Sequence, residues 1–124
     1  MEIYCGIDII EIDRIRKSIE ELGNVFINKI YTNMEIEYCE SKKNQKFQHY
    51  AARFAAKEAA FKAVSSLCKN KYDVTWKDIE VTNDKNGRPK VDIKNIEKLE
   101  NANIDITISH NKENAIANVV ILLK

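Results

Sequence analysis

The sequence predicts an α+β fold: an antiparallel sheet packed with one long central helix. Three observations predict it. The run from about Phe47 to Lys69 contains "RFAAKEAAFKA", rich in helix formers, with no Gly or Pro. Short β-rich stretches stand near both ends of the chain, "EIYCGIDI" at 2–9 and "IDITISHNKENAIANVVILL" at 104–123. Between them, helical and extended segments mix without the strand–helix alternation that builds a parallel sheet.

Each element has its own signal. Residues 2–9 alternate, with Ile3, Cys5, Ile7 and Ile9 on one side and Tyr4, Gly6 and Asp8 on the other. Asp13 is placed to cap a helix running to about Leu22 and stopped by Gly23. "VFINKIY" suits a short helix, and Thr32 or Asn33 caps another over "MEIEYCES". "KKNQK" (42–46) reads as a polar, mobile connection into the long helix. On that helix Phe47, Tyr50, Phe54, Phe61 and Cys68 form a narrow apolar stripe, and Glu58 projects about 40° from Phe54. "VTWKDIEVTND" is a turn followed by a strand through Ile79 and Val81. "NDKNGRP" (83–89) is a turn, "KVDI" a returning strand, and "IEKLENA" a short helix. The last stretch reads as two strands around a turn at Asn111–Asn114.

Composition narrows the function classes. A chain of 124 residues suits a single domain, 1–124, with 44% hydrophobic residues for a core. It is too short to close a deep cleft easily, which favours a site shared between protomers. Twenty basic against 19 acidic residues leave a net charge of +1, which gives no field for nucleic acid or an anionic membrane. No window has the length of a transmembrane helix, and the apolar stretch near the N-terminus is broken by Asp8 and Glu11. Cys5, Cys39 and Cys68 are odd in number and lack CxxC spacing, as expected of reduced thiols in a cytoplasmic protein.

A few polar residues stand out, each with two readings. Glu58 and Lys62 are four apart, the spacing of an ordinary helix ion pair, and Asp8 suits a turn. Two carboxylates from a strand end and a helix also suit Mg²⁺, which takes one or two protein carboxylates plus water and substrate phosphates. Lys62 would then offer charge to those phosphates. "NGRP" is a turn, or a platform that brings Arg88 to a phosphate. Ser109 and His110 are half-exposed polar residues at a strand end, or phosphate donors. Neighbours on a strand point to opposite faces, so they are not a hydrolase couple. His49 reads as a solvated helix residue.

Four motifs then fall into one order: "GIDIIEIDRI", "RFAAKEAAFKA", "NGRP" and "ISH". This order resembles the phosphopantetheinyl transferases, in their small single-domain holo-[acyl-carrier-protein] synthase type. The family signatures G-x-D and (W/F)-x-x-K-E-x-x-x-K map onto Gly6–Asp8 and onto Phe54, Lys57, Glu58 and Lys62. The resemblance implies transfer of 4′-phosphopantetheine from coenzyme A to a serine of apo acyl carrier protein, releasing adenosine 3′,5′-bisphosphate, in fatty acid biosynthesis. It implies Asp8 and Glu58 as Mg²⁺ ligands, with Lys62 on the phosphate oxygens. Arg53, Arg88, Pro89, Ser109 and His110 would be further coenzyme A contacts. The base for the serine stays open among Glu58, Asp8 through a bound water, and no residue of the enzyme. The acidic carrier would dock on Arg14, Arg16 and Lys17, although Glu20, Glu21, Asn24 and Asn28 make this helix poorer in charge than the family pattern. The small members are homotrimers with sites between subunits. Two rivals remain: a non-catalytic module that binds coenzyme A or a protein, and a Mg²⁺-dependent phosphohydrolase or nuclease. The near-neutral charge disfavours a nuclease.

Overall fold

Strand β1 (Glu2–Glu11) alternates as its sequence dictates, but the side turned to the protein interior is that of Tyr4, Gly6, Asp8 and Ile10. The computed structural model describes residues 1–70 and 72–124. Along β1 the isoleucine side faces outward, with Ile3, Ile7 and Ile9 at 69%, 56% and 61% exposure. The strand pairs antiparallel with β5 (Asn114–Leu123), which also pairs with β4 (Asn103–His110), so the sheet order is β1-β5-β4. A separate two-stranded sheet joins β2 (Ile79–Asn83) to β3 (Pro89–Ile93). The antiparallel strands thus form two sheets where the sequence suggested one.

Helix α1 (Ile12–Leu22) follows β1 without a break, with Glu11 at the N-cap position, no side-chain cap, and Asp13 inside the first turn. The Ile12 N–H bonds the Glu113 carbonyl at 2.8 Å, so sheet pairing carries the chain straight into the first turn. Gly23 ends the helix as expected, at φ +56° with its N–H on the Ile19 carbonyl. Helix α2 (Asn24–Ile30) follows, then α3 (Asn33–Ser41), whose cap Thr32 forms a reciprocal capping box with Glu35. The polar connection contains a 3₁₀ turn, Lys43–Gln45, and leads directly into α4 (Lys46–Val64).

Helix α4 differs from its sequence reading in two ways. It stops at Val64 and tightens into a 3₁₀ turn, Ser65–Leu67, where the Ser65 hydroxyl donates to the Lys62 carbonyl at 3.0 Å. Its most buried side is also not the aromatic stripe. Ala51, Ala52, Ala55, Ala56, Ala59, Ala60 and Ala63 are buried with Tyr50 and Val64, while Phe47, Phe54, Phe61 and Cys68 are half-buried. Small side chains let the helix lie close to the sheet over Gly6, Ala115, Ala117 and Val119. The phenylalanines are covered from the flank: Trp76 stacks on Phe54 at 5.1 Å and meets Phe61 edge-on at 5.0 Å. The segment expected as a short helix near residue 97 is a single 3₁₀ turn, Glu97–Leu99. Among the described residues no helix is long and apolar enough to cross a membrane.

Candidate active site

Asp8 and Glu58 lie near enough to feel each other's charge where β1 passes under α4. Asp8 points to the helix because it shares a strand face with Gly6 and Ile10, and the missing side chain at Gly6 lets α4 approach. Lys62 sits one turn beyond Glu58. Its Nζ donates to Asp8 Oδ1 at 3.2 Å and to the Ile7 carbonyl at 2.9 Å. Glu58 is half-buried, and its carboxyl is pushed above the usual range by burial first and by the charge of Asp8 second, with Lys62 opposing. A half-buried carboxyl held close to a second carboxylate is destabilised in its charged form, and a cation between the two would relieve that cost. Among the described residues no group of three or more His, Cys, Asp or Glu side chains could hold a metal. The pair therefore fits an ion that fills its remaining positions with water and substrate oxygens, as Mg²⁺ does.

A cleft of about 520 Å³ opens beside Glu58, walled by Phe61, Val64, Ser65, Cys68, Lys69 and Val74. The structure thus brings Asp8, Glu58 and Lys62 together at one place, and the helix pair read as Glu58–Lys62 is in fact Lys62–Asp8.

The other candidates group differently. Arg88 is exposed and Pro89 half-buried at the β2–β3 hairpin, whose turn is held by Asp84: its Oδ1 accepts from the Asn86 and Arg88 N–H groups. Arg53, expected as a coenzyme A contact, lies beneath this hairpin and is only 3% exposed. Its Nη2 donates to Asn83 Oδ1 at 2.7 Å, its guanidinium carbon stands 4.0 Å from the Tyr38 ring centre, and its buried Nε has no acceptor among the described residues. Ser109 and His110 are exposed at the end of β4, and His110 Nε2 is 2.7 Å from the Gln48 amide nitrogen of α4. His49 is half-buried with its ring edge-on to Tyr38, and burial pushes its pKa down.

On α1 the three basic residues are not equivalent. Asp13 takes Arg16 through Nε at 2.9 Å and also through Nη2, and it takes Lys17 at 3.3 Å. Glu20 binds Arg16 Nη1 at 2.8 Å. Arg14 is exposed and has no ion pair among the described residues. Sequence reasoning missed Glu35, Asn83, Gln48 and Tyr38 as members of these clusters. Only Glu35 had a local signal, as the fourth residue of the capping-box pattern Thr32-x-x-Glu35.

Comparison with known proteins bears on all of this geometry. The model of the 4′-phosphopantetheinyl transferase superfamily matches residues 4–120. A holo-[acyl-carrier-protein] synthase of Ruminiclostridium cellulolyticum is 44% identical, with 99% of this chain and 94% of that protein covered. The crystal structure of a holo-(acyl-carrier-protein) synthase from Bacillus anthracis in complex with CoA (3′,5′-ADP) is 37% identical, with a TM-score of 0.78 over 95% of this chain and 94% of that one. The Helicobacter pylori holo-[acyl-carrier-protein] synthase in complex with coenzyme A is 30% identical, with a TM-score of 0.80 over 95% and 99%.

Proposed function

Since the chain belongs to the 4′-phosphopantetheinyl transferase superfamily, we propose that it carries 4′-phosphopantetheine from coenzyme A to a serine of apo acyl carrier protein. The observation that carries this reading is the meeting of Asp8, Glu58 and Lys62 on β1 and α4. In the transfer the serine oxygen attacks the phosphorus that bears pantetheine. The bond from that phosphorus to the bridging oxygen breaks, and adenosine 3′,5′-bisphosphate leaves. Such a step asks the protein mainly to align groups and neutralise oxygen charge. Bound by Asp8 and Glu58, Mg²⁺ would supply Lewis-acid stabilisation of the phosphate oxygens. Lys62, more than half exposed on a flexible stem, can pass its ammonium from Asp8 to a phosphate oxygen. In this reading Arg88, Ser109 and His110, all exposed, receive the nucleotide end, with Pro89 stiffening the hairpin. Arg53 acts from below through Asn83.

The fatty-acid carrier docks on α1, and the ion pairs there rank its cations. Asp13 engages Arg16 and Lys17, so Arg14 is the cation of this trio without an ion pair among the described residues. Arg14→Ala is expected to raise the KM for carrier about threefold to tenfold at low salt, and Lys17→Ala to raise it less. The difference should fade near 1 M salt. Steady-state kinetics over a salt series checks it, and a larger effect at Lys17 would refute the ranking.

The outward apolar face of β1, with Ile3, Ile7 and Ile9, supports a homotrimer with sites between subunits, since large exposed apolar surfaces mark interfaces. Three free cysteines support a reducing, cytoplasmic setting. The deciding experiment is intact mass of apo acyl carrier proteins after incubation with this protein, coenzyme A and Mg²⁺, with an EDTA control. A Mg²⁺-dependent gain of one phosphopantetheine group is expected. No gain on any carrier would leave a coenzyme A-binding module.

A further inference from the structure

The stretch that bears Glu58 and Lys62 also bears Lys57, which the transfer reading leaves without a task. Lys57 points the opposite way, into the core, and is fully buried. Its Nζ donates to Glu35 Oε1 at 2.7 Å and to the carbonyls of Trp76 and Ile79 at 2.8 and 2.6 Å. Glu35 is equally buried, and its carboxylate accepts the N–H of Thr32 at 2.8 Å and of Val81 at 2.7 Å. Four backbone groups from the α3 cap, the 3₁₀ turn before β2, and β2 itself therefore end on this one pair. A buried ion pair adds little net stability compared with apolar residues of the same volume. What it does supply is direction, because every bond has a required geometry.

The direction matters because β2 leads to the hairpin. One turn before Lys57, Arg53 clips the other end of β2 through Asn83, whose Nδ2 in turn donates to the Gly87 carbonyl at 3.0 Å. Helix α4 thus grips β2 at both ends, at Ile79 by Lys57 and at Asn83 by Arg53. The Arg53 Nε is buried without an acceptor among the described residues, a cost that stability alone would select against. The same helix carries Glu58.

We propose that the Lys57–Glu35 pair and the Arg53–Asn83 clip are positioning devices for coenzyme A: they fix the β2–β3 hairpin on α4, and so fix the nucleotide end of the substrate relative to the carboxylates that serve its pyrophosphate. The inference rests on the transfer reading. Neither pair touches the reacting atoms. Loosening them loosens the seat of coenzyme A and leaves the carrier-docking helix α1 as it was.

Two variants test this, with calorimetric binding of coenzyme A and KM values for both substrates as readouts. Glu35→Gln keeps an acceptor and removes the charge. Asn83→Ala leaves the buried pair intact and cuts the clip. Each is expected to weaken coenzyme A binding and raise its KM about tenfold, with the KM for carrier unchanged. A merely structural role would lower the melting temperature and the active fraction without separating the two KM values. If Glu35→Gln fails to fold, Asn83→Ala decides alone. A folded Asn83→Ala that binds coenzyme A as the wild type does overturns the inference. Wild-type protein that binds no coenzyme A would overturn the transfer reading, and this inference with it.

Discussion

A Glu58→Gln variant is expected to lose transfer by about a thousandfold while gaining stability in the absence of metal. The two effects have one cause. Glu58 is held half-buried near Asp8, and both burial and that neighbour disfavour its charged form. With a raised carboxyl pKa the folded state binds a proton more readily than the unfolded chain. Stability is therefore highest at pH values below the ordinary carboxylate range and falls as pH rises through the ordinary and then the raised pKa. Glutamine is uncharged at every pH and escapes this loss. In EDTA at pH 7 the variant should melt above the wild type, and the gap should close toward pH 4. Added Mg²⁺ should raise the wild-type melting temperature and leave the variant unmoved, since a ligand stabilises only the state that binds it. Differential scanning calorimetry at two pH values, with and without Mg²⁺, checks this beside the transfer assay. A variant that transfers normally would remove Glu58 from the site. A variant that melts below the wild type in EDTA at neutral pH would remove the repulsion argument.

Pattern alone left the three residues of the candidate centre with two readings each, and the motifs of the resemblance singled them out; their places in regular elements are local. Asp8 follows from strand alternation and Lys62 from one helical turn. What joins them is not local: the ion pair runs from α4 to β1, over 54 residues of chain. The helix-face reading failed for a related reason. Large aromatic residues marked a stripe, but the distance between helix and sheet is set by the smallest groups, and the alanines around Ala59 win the contact with β1. Asp13 was a good N-cap by residue type, yet a tertiary hydrogen bond from Ile12 to Glu113 started the helix earlier. Arg53 entered only as a coenzyme A contact implied by the resemblance, and nothing local marked it as buried, since arginine is seldom so. Its acceptor, Asn83, and the ring beneath it, Tyr38, come from two other elements. Glu35 and Lys57 were invisible as a pair for the same reason: they lie on different helices, and neither the capping-box signal of Glu35 nor the signature that contains Lys57 points to the other.

Gly6→Ala is expected to destabilise the fold by about 3 kcal/mol or more and to lower the melting temperature by about 10 °C. The reason is space, since Gly6 is extended and its backbone conformation is open to any residue. A Cβ there would stand 2.0 Å from the Ala59 carbonyl oxygen, 2.7 Å from the Ala63 nitrogen and 3.0 Å from the Lys62 Cβ. The two nearest atoms are helix backbone, and they cannot turn aside as a side chain would. Helix α4 must lift from β1, which opens the alanine interface and parts Glu58 and Lys62 from Asp8 together. Gly23→Ala is the control. Gly23 has φ +56° and ψ −133°, and a methyl added there would meet nothing within 4 Å, so its cost is only conformational, about 1–3 kcal/mol. Thermal melts should therefore rank the two variants, with transfer lost beyond the unfolded fraction only in Gly6→Ala. A Gly6→Ala variant that melts with the wild type would mean that α4 can shift without cost. The close approach of helix and strand would then not be what holds the two carboxylates together.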